Sequence, residues 1–192
     1  MGLFDSIKAQ TQNAVNNAAV KTANNLQKKR ETFTFTSIPA SVAELQALPE
    51  SDLSSPFKTC ALTMLVLLNY PNNVDETINM LNYLKGPAPM TPYEISFLKE
   101  RLNGKEYVIR SYFEGASVDN NYIPNEPLKI TITDNPYSYP EAGYAYLWLR
   151  SSGADSERQI KCRLKPSTGQ WFMLENLALA DIRIPKAADP WA

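Results

Sequence analysis

The sequence has no histidine among its 192 residues. Without imidazole the chain has no Ser-His-Asp triad, no Cys-His dyad and no histidine-ligated zinc site. Its two cysteines, Cys60 and Cys162, are too few for a four-sulfur metal site, and both lie in apolar stretches. We therefore predict that they are buried small side chains rather than reactive thiols or a disulfide, and we expect no cofactor.

Glycine and long apolar runs are also scarce. Seven glycines form neither a G-x-x-x-x-G-K loop nor a G-x-G-x-x-G loop, so the usual nucleotide-phosphate cradles are excluded. The longest apolar run, CALTMLVLL at residues 60–68, is too short to cross a bilayer. Because no signal-peptide pattern follows the initial MGLF, the sequence predicts a cytoplasmic protein.

The net charge is close to zero but unevenly distributed. The chain has 19 Lys and Arg against 20 Asp and Glu, so nucleic acid is not the expected partner. Residues 1–31 are basic, however, because five cations outnumber Asp5 and Glu31 there. A basic segment on an acidic body fits an approach to an anionic surface, and it fits an ordinary solvated helix as well.

The first residues predict an amphipathic helix. Residues 3–29 contain neither Pro nor Gly, and apolar or small side chains recur every three to four positions. The apolar weight is greatest at Leu3, Phe4 and Ile7, which we predict to be interaction residues. We predict an arm over residues 1–31 that contacts its own domain, a second copy, another protein or, weakly, a membrane surface.

The remaining residues, 32–192, are predicted to form one α+β domain. Residues 32–39 alternate as a strand, and four polar residues can cap the helices that follow: Ser41, Ser55, Asn73 and Thr91. Beyond Gly104 the period changes to two, with strands predicted at 107–113, 128–134, 144–150, 158–164 and 170–176 and a final piece at 181–185. We expect a helical N-terminal half packed against an antiparallel C-terminal sheet of about five to six strands.

One face of that sheet has a mixed composition. If KPSTGQ closes a hairpin, Cys162 and Leu164 lie beside Met173 and Trp171, while Lys161 and Arg163 lie beside Leu174 and Phe172. Tyr144, Tyr146 and Trp148 extend the second face. We favour a face partly covered by a helix over an exposed stacking platform, and we take Tyr146, Trp148, Lys161 and Arg163 as further interaction candidates.

Catalysis is the alternative to an interaction module. A histidine-free hydrolase or ligand-binding protein could use loop carboxylates and the aromatic sheet face, but Asp119, Glu126, Asp134 and Glu141 are more typical of turn-stabilising residues. We assign no catalytic or metal-binding residue. Trp191, near the end of the chain, is predicted to pack against the body.

Four blocks of the C-terminal half carry a family resemblance: RSYFEGASVDNNYIP, NPYSYPEAGYA, SSGADSERQIKCRLKPSTGQWF and DIRIPKAADPW. They resemble an uncharacterised bacterial family, a domain of unknown function found in small cytosolic proteins. The resemblance implies a shared fold and a bacterial origin. It assigns no catalytic residue.

Overall fold

The computed structural model describes residues 29–191, which form five helices and five strands within that range. The helices are α1 (Val42–Gln46), α2 (Pro56–Leu67), α3 (Val74–Lys85), α4 (Pro92–Leu102) and α5 (Tyr107–Arg110). The strands are β1 (Arg30–Phe35), β2 (Leu128–Thr133), β3 (Tyr144–Leu149), β4 (Arg158–Lys165) and β5 (Gln170–Asn176). Short 3-10 turns occur at Pro49–Asp52, Val118–Asn120 and Lys186–Ala188.

The strands form one antiparallel sheet in the order β1-β2-β3-β4-β5. Each strand pairs with its sequence neighbour, and the chain inserts its helices between β1 and β2. The predicted α+β class is therefore confirmed.

Helix α2 is the centre of the core. Eleven of its twelve residues are buried, since it is apolar nearly all round, and it contacts all five strands. The strand residues that it meets alternate with outward-facing ones; they include Phe33, Ile130, Leu147 and Cys162. This face of the sheet is thus covered by helix over most of its length, with Leu164 and Trp171 half-buried at the end of the β4–β5 hairpin.

The predicted N-caps are confirmed. The side chains of Ser41, Ser55 and Asn73 each accept a backbone N–H of the helix that follows. Thr91 forms a capping box with Glu94, in which each side chain accepts from the other's backbone. These caps satisfy N–H groups that the first helical turn leaves without partners.

Two predicted strands are wrong. Residues 107–113 contain α5, and residues 181–185 lie in irregular structure. The first error arises because Val108, Ile109, Tyr112 and Phe113, all buried, follow the spacing of a helical turn as well as partial alternation. Within this segment, Phe113 alone forms a bridge to the sheet, opposite Ile130.

The β4–β5 hairpin follows the predicted register near its turn and departs from it further along. Cys162 pairs with Met173 and Arg163 with Phe172. A β-bulge then shifts the ladder, so Lys161 faces Glu175 rather than the predicted Leu174.

The prediction that Trp191 packs against the body is also wrong, because its side chain is 93% exposed. Among the helices of residues 29–191, none is long and apolar enough to cross a membrane.

Candidate functional site

The second face of the sheet carries the charged and aromatic side chains that alternate with the core residues. We call it the open face. It consists of Arg30, Thr32, Thr34, Lys129, Thr131, Thr133, Tyr144, Tyr146, Trp148, Arg150, Gln159, Lys161, Arg163 and Glu175. Five of these residues are cationic and one is acidic, in a chain whose net charge is −1. The open face is therefore a local cationic surface.

Helical cover reaches a corner of this side of the sheet. Phe172 packs against Gly86, where an added Cβ would lie 2.4 Å from the Phe172 ring. Elsewhere the side chains are exposed or half-buried apart from Thr133, and Thr32, Arg150 and Arg163 are exposed. In the described part of the chain, the helix cover that we predicted is thus limited to this corner.

Three of the predicted interaction residues lie together on β3 and β4. The Lys161 ammonium lies 5.5 Å from the centre of the Tyr146 ring, and the Arg163 guanidinium lies 5.4 Å from that of Tyr144. Lys161 also forms a 2.6 Å ion pair with Glu175. Because cations lie over both tyrosine rings, this region presents positive charge rather than bare aromatic faces.

Trp148, the next predicted residue, lies on the same face opposite Gln159. Its indole Nε1 is buried and has no hydrogen-bond partner among residues 29–191. The predicted arm residues Leu3, Phe4 and Ile7 lie outside the described residues.

A polar cleft of about 640 Å³ lies over the β1–β2 part of the open face. Its floor includes Thr32, Thr131 and Thr133, and the hydroxyls of Thr32 and Thr131 are hydrogen-bonded at 2.8 Å. Arg30, Lys129 and Arg150 also line it.

The walls of the cleft form where β2 and β3 separate. The two strands pair at Ile132 and Thr133, and beyond them the Glu114 N–H donates to the Lys129 carbonyl at 2.9 Å. The cleft walls are residues 111–116 and the segment that follows β3 from Arg150 to Asp155. A 2.7 Å hydrogen bond between the buried Ser111 and Ser151 hydroxyls joins these two segments. Residues 111–116 therefore form a wall rather than the end of the strand we predicted.

Charge pairing differs among the cleft residues. Arg183 donates to Asp155, whereas Arg30, Lys129 and Arg150 have no ion-pair or side-chain hydrogen-bond partner within residues 29–191. Glu114 and Glu157 add carboxylates to the lining. Sequence patterns did not identify this cleft, because its cations come from three separate strand regions.

The loop carboxylates considered for catalysis do not line this cleft. Asp134 accepts the backbone N–H of Lys29 at 2.6 Å, which joins the start of β1 to the end of β2 rather than stabilising the turn that we predicted, and Asp119 lies 3.4 Å from Lys186 at the surface. In the described residues, no group of three or more Cys, Asp or Glu side chains is arranged to hold a metal ion.

The two cysteines lie in the core between α2 and β4. Both are free and buried, with their sulfurs 3.6 Å apart. Burial and the neighbouring Cys162 raise the pKa of the Cys60 thiol well above its usual value. The prediction of buried thiols is confirmed, and the raised pKa disfavours the reactive thiolate.

A second cleft, of about 340 Å³, lies on the helical side between α4 and the edge strand β5. Its lining is mainly apolar and includes Phe97, Met173 and Leu177. Lys85 borders it, but its ammonium is bonded to Glu94 at 2.8 Å. Nothing in the described residues identifies an occupant for this cleft.

Comparison with known proteins yields a single family. No curated protein and no solved structure matches the chain. A family model described as a domain of unknown function (DUF6935) matches residues 37–186, which include four of the five strands and all five helices. The chain belongs to the DUF6935 family.

Proposed function

We propose that this protein is a non-enzymatic module that binds an anionic membrane surface through two contacts. One is the arm, residues 1–31, with Leu3, Phe4 and Ile7 at its apolar tip. The other is the open face, and its charge is the observation that carries the proposal. The open face has five cations and one carboxylate, and with Arg183, Glu114, Asp155 and Glu157 in the walls of the cleft this side stays net positive on a slightly acidic chain, which favours an anionic partner.

The covalent connection between the arm and the sheet supports a shared direction of binding. The arm, as predicted, ends within β1, whose first residue, Arg30, belongs to the open face. A partner that meets the open face is therefore within reach of the arm. The arm is also basic, so it is not electrostatically attracted to this face.

The magnitudes favour two contacts over one. A Lys or Arg near an anionic leaflet contributes about 1 kcal/mol, and each inserted large apolar side chain contributes about 1.5–3 kcal/mol. Either contact alone gives weak, reversible binding. Joined in one molecule, they reinforce each other because the second contact forms within an already bound chain.

Vesicle flotation tests the proposal. We expect the full-length protein to float with phosphatidylglycerol/phosphatidylcholine vesicles and not with phosphatidylcholine alone, and to be released by salt. The double variant Lys161→Gln/Arg163→Gln should lower the partition coefficient by about thirtyfold. Phe4→Ser should lower it through the apolar contact.

The matched control is Lys58→Gln/Lys99→Gln, which removes two cations from α2 and α4 on the helical side. It should change the partition coefficient by less than about threefold. An equal loss in both double variants would show a whole-molecule charge effect. Failure of the full-length protein to float with anionic vesicles, or equal flotation with neutral ones, would refute the proposal and leave a protein partner as the alternative.

A further inference from the structure

The polar cleft has the composition of a binding site for a small anion. We infer that it binds the phosphate group of a phosphorylated polyol, either free in solution or as the headgroup of an anionic phospholipid. The inference rests on the proposed function, since it takes the open face as the side that meets the anionic partner. It adds a specific pocket to a surface that would otherwise act by charge alone.

The threonine pair supplies a donor. The hydroxyls of Thr32 and Thr131 share one hydrogen bond of 2.8 Å, and both residues are on the open face. Two hydroxyls carry two hydrogens, of which the shared bond uses one. One O–H at the floor of the cleft is therefore available to a phosphate oxygen.

Three cations surround this pair. Arg30 lies two residues from Thr32 along β1, and Lys129 lies two residues from Thr131 along β2, so they flank the pair on opposite sides at about 7 Å. Arg150 follows Leu149, whose pairing with Ile132 places it beside Thr131. Their side chains can converge on an anion over the hydroxyls, and guanidinium groups suit phosphate geometry.

The lack of internal partners distinguishes these cations from others in the protein. Lys85, Lys105 and Arg183 each have a carboxylate partner. The three cleft cations have none within residues 29–191. With Arg183, these cations outnumber the cleft carboxylates Glu114, Asp155 and Glu157 by four to three, so the lining carries a net positive charge that a bound anion offsets.

The carboxylates in the lining indicate more than a bare phosphate. Glu114 and Glu157 border the cleft with the buried Ser111 and Ser151. Carboxylates repel a polyanion but accept hydrogen bonds from alcohols. A phosphate ester that also carries hydroxyl groups satisfies both kinds of lining, and the cleft volume is within the range for small ligands.

Calorimetric titration of the full-length protein with glycerol 3-phosphate tests the inference, with glycerol as the uncharged comparison. We expect saturable binding of the phosphate ester and none of glycerol. Arg150→Gln should weaken binding about tenfold or more. Thr32→Val/Thr131→Val should also weaken it, although it changes no charge and Val retains the strand.

The variant Lys58→Gln/Lys99→Gln is the control, because it removes two cations from the helical side, away from the open face; it should leave the dissociation constant within about twofold. Circular dichroism of each variant confirms folding. Absence of binding by the unaltered protein, or equal binding by all variants, would overturn the inference. Vesicle flotation of the unaltered protein separates this failure from that of the proposed function. If the protein floats with anionic vesicles but binds no glycerol 3-phosphate, the cleft alone is refuted.

Competition distinguishes the two sources of phosphate. If glycerol 3-phosphate displaces the protein from phosphatidylglycerol vesicles, the lipid headgroup occupies the cleft. If it binds without affecting flotation, the cleft serves a free phosphate ester. Both results support phosphate recognition at this position.

Discussion

The two faces of the sheet differ in the interactions that their side chains make. The inner face is covered by α2, and its residues are held by apolar contacts in a continuous core. The open face has threonines, aromatic rings and cations, several of which have no partner within the described chain. The same strands thus supply stability on one side and, in our proposal, recognition on the other, which is consistent with the strict alternation of side chains in a strand.

Adjacent residues of β2 provide the sharpest test of this division. Ile132 is completely buried on the inner face, whereas Thr131 is half-buried on the open face. Ile132→Ala should reduce the free energy of unfolding by about 2–5 kcal/mol, since it leaves a cavity in the core. Thr131→Ala should reduce it by less than about 1 kcal/mol. Urea denaturation of both variants measures the difference, and similar losses would mean that the open face is structurally covered.

At the corner where helical cover reaches Phe172, a substitution should lower the free energy of unfolding more than a substitution elsewhere on this side of the sheet. Gly86 has φ +60°, and an added Cβ would meet the Phe172 ring, so Gly86→Ala combines backbone strain with overpacking. We expect a loss of about 2–4 kcal/mol in the free energy of unfolding.

Gly169 is the control for a positive φ without a neighbouring side chain, whereas Gly86 also has ψ −118°. Gly169 has a similar φ of +71° but no heavy atom within 4 Å of the added Cβ. Gly169→Ala should therefore cost about 1–2 kcal/mol, from the backbone alone. If thermal or urea denaturation gives equal losses for the two variants, the contact between Gly86 and Phe172 does not contribute.

The inner face was largely predictable from sequence. The alternation of β2 to β5 and the capping residues before α1 to α4 are local signals, and they gave the correct elements. The strand predicted at residues 107–113 was wrong because the spacing of its four buried apolar residues fits both the helical period and the strand period. The Lys161–Glu175 pair was missed because a bulge in β5 is not encoded by alternation.

The residues of the open face could be predicted from the alternation in the sequence, but whether they are exposed to solvent could not. Whether a helix covers Tyr146 and Lys161 depends on tertiary packing, and so does the convergence of Arg30, Lys129 and Arg150, which are far apart in the chain. The family match identifies the domain without adding a role for any residue. The arm and its boundary at residue 31, the cytoplasmic location and the bacterial origin stay predictions.

The smallest predicted difference in stability between a variant and its control concerns an ion pair of a cation on the helical side that, unlike the unpartnered cations of the open face, has a carboxylate partner. Lys85 is buried at the end of α3, and its ammonium donates to Glu94, whose other carboxylate oxygen accepts from Thr91 at 2.7 Å. Glu94→Gln keeps the shape but removes the charge that Lys85 faces. We expect a loss of about 1 kcal/mol in the free energy of unfolding at pH 7, because the carboxylate is partly exposed.

The pH dependence of this loss gives the test its direction. Burial alone would raise the pKa of Glu94, but hydrogen bonds from Lys85 and Thr91 outweigh it and hold the pKa below its usual value of 4.5. The contribution of the carboxylate is therefore present above that value and is lost as the pH falls through the lower pKa of the folded protein. Urea denaturation should show that the difference in the free energy of unfolding between the unaltered protein and Glu94→Gln is smaller at pH 3 than at pH 7. The control is Asp119→Asn, which changes an exposed 3.4 Å ion pair and should have little effect at either pH. If the difference is the same at both pH values, the charge of Glu94 does not stabilise the buried Lys85. Pairing with a carboxylate would then not distinguish Lys85 energetically from the unpartnered cations of the open face.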